Sequence, residues 1–300
     1  MTTFTNANLS LSDSYIPQAS KLETRVNSLE IICVGNELLI GKTLNTNATW
    51  LAKRVTLLGV MVKRIMVISD DVDEIAETLQ EALRRKPRFI ITTGGLGPTF
   101  DDKTLEGIAK GLNRGLEVNE KALKMVREKY EVYLKQGKIQ RVELTSPRLK
   151  MATLPEDTEP LPNPVGTAPG MMAKVKGTFI IALPGVPPEM EAIFNESLAE
   201  IIKKEAGKSA FFETSIYAEG IMESNLAPSI DQVMHNNPYV YVKSHVYTKS
   251  IAQVEGQKSH IELHFSTTAN DPETARSRLD TAVSELSELV QRDGGKIRKQ

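Results

Sequence analysis

The sequence predicts an α/β protein built on a mostly parallel sheet with helices on both faces, followed by a small α+β unit. Three observations carry that prediction. From Leu29 onward, short apolar runs alternate with segments of helical spacing, the pattern of strands joined by crossover helices. The loops richest in glycine, proline and acids follow the apolar runs, where ligands of parallel sheets sit. After Gly207 the rhythm changes to longer strands and two helices.

The elements follow in order. LEIICVG, from Leu29, is a short β-branched run ending on glycine, a buried strand. TNATWLAKRVTLLG sets Trp50, Leu51, Val55 and Leu58 at helical spacing and stops on Gly59. VMVKRIMVIS reads as a second strand. DVDEIAETLQEALRRK is a helix with acids in its first turn and bases in its last, matching the helix dipole. RFIITTGG is a third strand, KTLEGIAKGL a third helix, and NEKALKMVREKYEVYLKQGK a long charged helix. PRLKMATLPEDTEPLPNPVGTAPGMM reads as a long loop, a length that is uncommon inside a domain unless it has a function. KVKGTFIIALPG reads as a hairpin about Gly177, and VPPEMEAIFNESLAEIIKKEAG as a helix from its prolines to Gly207. The remainder gives FFETSIYAEG, MESNLAPSIDQVMHNN, YVYVKSHVY, SHIELHFSTTA and a long helix capped by Asp271, a β-α-β-β-α order. The expected organisation is a mobile arm over residues 1–28, an α/β domain over 29–207 and an α+β domain over 208–300.

Composition narrows the function. The 300 residues are 40% apolar and 25% charged, and the net charge of -1 gives no electrostatic reason to expect nucleic acid or an anionic membrane. The single cysteine, Cys33, lies inside an apolar run and is read as a buried strand residue. It permits no intramolecular disulfide, which suits a reducing, cytoplasmic setting. No run approaches the roughly 18 apolar residues of a membrane helix, and the first residues lack the basic start and apolar core of a signal peptide. His235, His245, His260 and His264 have no accompanying acid or cysteine cluster and are read as ordinary residues. Covalent catalysis and a nicotinamide cofactor are not indicated, because neither G-x-S-x-G nor a G-x-G-x-x-G after the first strand is present.

Four loops carry chemistry. TTGGLGPTFDD, Thr92 to Asp102, combines three glycines, a proline and two acids between a strand and a helix. Glycine lets a backbone come close to a ligand, and N–H groups at a helix start favour phosphate. The expected cradle is Gly94, Gly95, Leu96, Gly97, Pro98 and Thr99, with Gly95 replaceable only at the expense of ligand approach. GNELLIGKTLNTN places Glu37 just past the first strand, with Asn45 and Asn47 at positions that suit either a cap of the next helix or a ligand contact. SDD offers Asp70, while Asp71 has the position of a helix cap. If the strand ends converge, Glu37, Asp70, Asp101 and Asp102 form an acidic cluster suited to a divalent cation bound with substrate phosphates. NPVGTAPGMM and LPGVPPEME add two further glycine–proline elbows.

GNELLIGKTLNTN, SDD, TTGGLGPTFDDKT, NPVGTAPG and LPGVPPEME, in that order, resemble the N-terminal domain of the competence/damage-inducible protein A (CinA) family. That domain is built like the molybdopterin-binding domain of molybdenum cofactor biosynthesis proteins. The resemblance covers about Leu29 to Gly207, and the last ninety or so residues resemble the small KH-like module of the same family. The resemblance implies a metal-dependent pyrophosphatase acting on ADP-ribose, with FAD as a further candidate substrate and Mg²⁺, Mn²⁺ or Co²⁺ as the metal. The alternative is a molybdopterin or pterin-phosphate binding protein without hydrolysis. It implies functional roles for Asp70 and Asp102, and a phosphate contact for Lys150. Asp101, Asp102 and Glu37 are the metal-ligand candidates. Asn47, Asn163, Gly166, Thr167, Pro184 and Gly185 are ligand-binding candidates beside the cradle. The expected partner is a small nucleotide rather than nucleic acid or membrane, and the family implies a homo-oligomer, dimer or trimer. The nicotinamide mononucleotide deamidase domain of full-length relatives is not expected in this chain. A GXXG loop, with which KH domains clamp nucleic acid, is missing from AEGIMESN.

Overall fold

The computed structural model describes residues 27–207, 210–247 and 260–299. β1 (Ser28–Val34) is buried along its whole length, and its residues alternate between two cores. Leu29, Ile31 and Cys33 point into one cluster, Ile32 and Val34 into the other. A strand covered on both faces needs apolar residues at every position, which explains the unbroken run. The one charged residue, Glu30, is buried but held bidentately by Arg85 at 2.8 and 2.6 Å, a geometry that compensates a carboxylate for lost water. Burial also raises the Cys33 thiol above its usual range.

β2 (Met61–Ile68) and β3 (Phe89–Thr93) both run parallel to β1. The helices Thr46–Leu57, Val72–Arg85 and Thr104–Leu112 follow β1, β2 and β3. Asn45 and Asp71 cap the first two through side-chain oxygens. β8 (Thr178–Leu183) lies parallel to β3, and β7 (Gly170–Val175) returns antiparallel to β8. The two join through Lys176 and Gly177, both at positive φ, the backbone that a tight two-residue hairpin requires. β6 (Glu159–Leu161) closes the six-stranded sheet, in the order β2-β1-β3-β8-β7-β6.

Three details depart from the sequence expectations. The long loop contains the helix Ser146–Lys150, β5 (Thr153–Pro155) and β6, and β5 pairs with β4 (Leu116–Val118) in a separate two-stranded ribbon. The helix expected from the prolines to Gly207 is interrupted by a π-helical turn over Phe194–Leu198. A last short strand, β12 (Lys296–Lys299), was not anticipated.

β12 completes a second sheet with β9 (Ala210–Glu219), β10 (Val240–Tyr247) and β11 (His260–Ala269). The order is β10-β11-β9-β12, all antiparallel. With the helices Glu223–Asn236 and Pro272–Arg292 this makes a split β-α-β arrangement, around a third core that includes Leu263, Phe265, Val233 and Leu286. Among the described residues no helix is long and apolar enough to cross a membrane. The expected arm lies outside the described residues except Asn27 and Ser28, the latter already in β1.

Candidate functional site

β1, β3 and β8 end side by side, and the loops leaving β3 and β8 pack on one another. Gly94 has φ +107°, and a Cβ there would stand 2.1 Å from the Val34 carbonyl oxygen. Gly185 faces it, its own Cβ position 3.3 Å from Gly94 Cα. Asn47 ties the two turns together, donating to Thr93 Oγ1 at 3.0 Å and to the Gly185 carbonyl at 2.8 Å. Thr93 Oγ1 in turn donates to the Pro184 carbonyl at 3.0 Å. Asn47, Pro184 and Gly185 thus brace the loops; Asn47 Oδ1 is buried without a hydrogen-bond partner among the described residues.

Gly95 has φ +66°, and a Cβ there would meet Thr104 Oγ1 at 2.4 Å. That hydroxyl is buried and donates to the Gly94 carbonyl at 2.7 Å. The expectation that Gly95 is kept open only for a ligand therefore needs correction. Its backbone angle and its neighbour already demand glycine, so a Gly95→Val change disturbs the loop itself.

The rest of the loop has a different character. Among the described residues, the N–H groups of Gly95, Leu96 and Gly97 donate to no protein acceptor. Asp102 turns back on Thr99, its Oδ2 accepting from Thr99 N at 2.8 Å and from Thr99 Oγ1 at 2.6 Å. Asp101 Oδ1 accepts from the same hydroxyl at 2.5 Å. That hydroxyl, aided by the Lys150 charge, holds the Asp101 carboxyl below its usual range. Lys150 donates to the Thr99 carbonyl. Pro98 and Phe100 complete the turn, with Phe100 86% exposed.

Gly95, Leu96, Gly97, Asp102 and Lys150 line one cavity of about 300 Å³, at the lower end of the range for small-molecule sites. Its remaining walls come from Leu105, Glu106, Leu116, Ser146, Leu149 and Thr153. None of these six was singled out in the sequence. They belong to the helix after β3, to β4, to β5 and to the Ser146–Lys150 helix, and only the tertiary fold brings them together.

Other candidates lie elsewhere. Asp70 accepts from Asn36 N at 2.8 Å and fastens the turn after β1 to the end of β2. Glu37 is exposed, and neither residue lines the cavity. The expected four-carboxylate cluster does not form: among the described residues no group of three or more His, Cys, Asp or Glu side chains is arranged to hold a metal ion. Asp101 and Asp102 converge on the Thr99 hydroxyl. Asn163 is buried, with Oδ1 accepting from Val165 N at 3.1 Å and Gly166 N at 2.7 Å. Its amide donates to the Ala168 carbonyl at 2.8 Å and to Glu189 at 2.7 Å. A Cβ at Gly166 would collide with the Glu189 carboxylate at 2.0 Å. Thr167 Oγ1 rests 3.6 Å from Met151 Sδ, next to Lys150 in the chain.

Known proteins agree with this architecture. A family model described as a probable molybdopterin binding domain matches residues 30–204. A protein of Aeropyrum pernix is 45% identical over 267 residues, covering 89% of this chain and 95% of its own. One from Pyrobaculum calidifontis is 44% identical over 260 residues, covering 87% and 94%. Among solved structures, the protein CinA of unknown function from Thermoplasma acidophilum is 42% identical, with a TM-score of 0.54, covering 59% of this chain and 99% of its own. On the strength of the matched family model and these full-length relatives, the chain belongs to the family of the probable molybdopterin binding domain.

Proposed function

We propose that the chain binds a phosphorylated, pterin-type small molecule in the cavity between the glycine loop and the Ser146–Lys150 helix. The observation that carries this reading is the state of the loop's N–H groups. Gly95, Leu96 and Gly97 line the cavity, and among the described residues their N–H groups have no protein acceptor; Lys150 adds a cation beside them. Unpaired donors next to a helix start favour an anion such as phosphate. The leucines of the walls suit a flat ring, and the matched family supplies the pterin chemistry. Calorimetric titration with neopterin monophosphate tests it: saturable one-to-one binding is expected, and no heat at millimolar ligand contradicts it.

A second reading, hydrolysis of the pyrophosphate of ADP-ribose or FAD, is favoured by Asp101 and Asp102 standing beside Lys150 at the loop. Among the described residues no three His, Cys, Asp or Glu side chains form a preformed metal centre, so in this reading a divalent cation enters as a companion of the bound phosphates. Incubation with ADP-ribose or FAD and Mg²⁺, Mn²⁺ or Co²⁺, followed by product chromatography, decides it. If hydrolysis occurs, Asp102→Asn is expected to lower turnover by roughly 10²–10³, the usual effect of removing one electrostatic group. Unchanged turnover removes Asp102 from that chemistry.

The unit read as KH-like from the sequence contributes no residue to the cavity. A homo-oligomer, dimer or trimer, forms part of the same proposal. Ile40, Leu44 and Phe100 support it, being 75%, 83% and 86% exposed on loops at the site's end of the sheet. Light scattering on the purified chain tests it.

A further inference from the structure

We infer that Glu106 reads the ring edge of the bound ligand and selects a 2-amino-4-oxo pyrimidine ring, as in pterins and guanine, over an adenine-type ring. The inference rests on the ligand-site reading above and adds the group that sets its selectivity.

Glu106 sits in the first turn of the Thr104–Leu112 helix and lines the cavity. Both its carboxylate oxygens take a hydrogen bond from Lys103 Nζ, each at 3.1 Å. A carboxylate offers about four acceptor positions, so one ammonium leaves it able to accept further donors. Asp102, the cavity's other carboxylate, is committed differently: its Oδ2 already takes two bonds from Thr99. The remaining walls are mostly leucine, which hold a flat ring without specifying its edge. The cavity therefore presents an anion seat, formed by the free N–H groups and Lys150, and one available pair of acceptor oxygens at Glu106.

That pairing fixes the chemistry of the ring. A 2-amino-4-oxo pyrimidine ring carries a ring N–H next to an exocyclic amine, two parallel donors that meet two carboxylate oxygens bidentately. An adenine-type ring carries a donor next to an unprotonated ring nitrogen, and that lone pair faces a carboxylate oxygen. A site built to accept two donors rejects the analogue that lacks one, because its acceptor is left unpaired. The Glu106 side chain is 36% exposed, so the discrimination belongs at the lower end of the bidentate range, roughly tenfold.

Calorimetry on the full chain with neopterin monophosphate, GMP, AMP and inorganic phosphate tests this, alongside the variants Glu106→Gln and Lys150→Ala. Neopterin monophosphate and GMP are expected to bind about tenfold tighter than AMP. In Glu106→Gln the amide offers one donor and one acceptor, so GMP weakens, AMP does not, and the preference disappears. Unchanged melting of that variant confirms that its fold is intact. An undiminished preference in Glu106→Gln overturns the assignment. So does equal binding of GMP and AMP to the parent protein when Lys150→Ala weakens both; the anion seat then stands and only the ring-reading role falls. If no probe binds, inorganic phosphate included, the ligand-site reading itself is wrong and the inference falls with it.

Discussion

Two loops of this protein share a composition and differ in what they do with it. TTGGLGPTFDD after β3 and NPVGTAPG before β7 are both rich in glycine and proline. In the second, the Asn163 carboxamide takes the N–H groups of Val165 and Gly166, the residues at the turn's glycine, and reaches on to Ala168 and Glu189. Its glycine is required because Glu189 occupies the place of a Cβ. In the first, Gly94 and Gly95 are equally forced by packing, yet among the described residues the N–H groups of Gly95, Leu96 and Gly97 have no protein acceptor. Glycine content does not distinguish a bracket from a ligand seat. The destination of the backbone hydrogen bonds does.

The comparison breaks most visibly at Asn163. Replacing it with alanine strands several buried groups, each costing about 1–3 kcal/mol, so Asn163→Ala is expected to destabilise the chain by roughly 3 kcal/mol. Urea denaturation measures this, and a loss below about 0.5 kcal/mol, the range of ordinary surface changes, denies the bracket role.

Lys150→Ala sharpens the other side. It is expected to weaken a phosphorylated ligand about tenfold or more, as the loss of a charged hydrogen bond does, while leaving the urea midpoint nearly unchanged. A variant that loses stability but keeps affinity reverses the two assignments.

The smallest effect is one of pH. The Asp101 carboxyl is held below its usual value of 3.8, chiefly by the Thr99 hydroxyl. A carboxyl lowered on folding stabilises the fold above its unfolded pKa, and that contribution fades as pH falls through the folded value. Below about 3.8, then, the Thr99–Asp101 contact is lost progressively. Amide NMR signals of Thr99 and Asp101 are expected to move in that window, and signals that stay still there deny the contact.

Much of the fold was legible because periodicity carried it. The runs of β1 and β3, the caps Asn45, Asp71 and Asp271, and the turn at Gly177 are local features, and each is found in the structure. β12 was missed because KIRK is short and charged, and its pairing with β9 and the seating of Ile297 on the third core are tertiary features. β4 and β5 are three residues each and exist through one another. At the site, the glycine loop announced itself by composition. Glu106, Leu116 and Leu149 did not, since each looks like an ordinary surface or helix residue until the Ser146–Lys150 helix closes the cavity against them. Glu37 and Asp70 drew attention as acids after strands, but the adjoining turns employ or expose them away from the cavity.

The central claim is that Gly95, Leu96 and Gly97 form an anion seat whereas Val165 and Gly166 do not. Amide NMR during titration with inorganic phosphate tests it most directly. The account predicts saturable shifts of the Gly95, Leu96 and Gly97 signals, diminished in Lys150→Ala, with Val165 and Gly166 unmoved. Shifts confined to Val165 and Gly166, or none at the glycine loop at saturating phosphate, would contradict it.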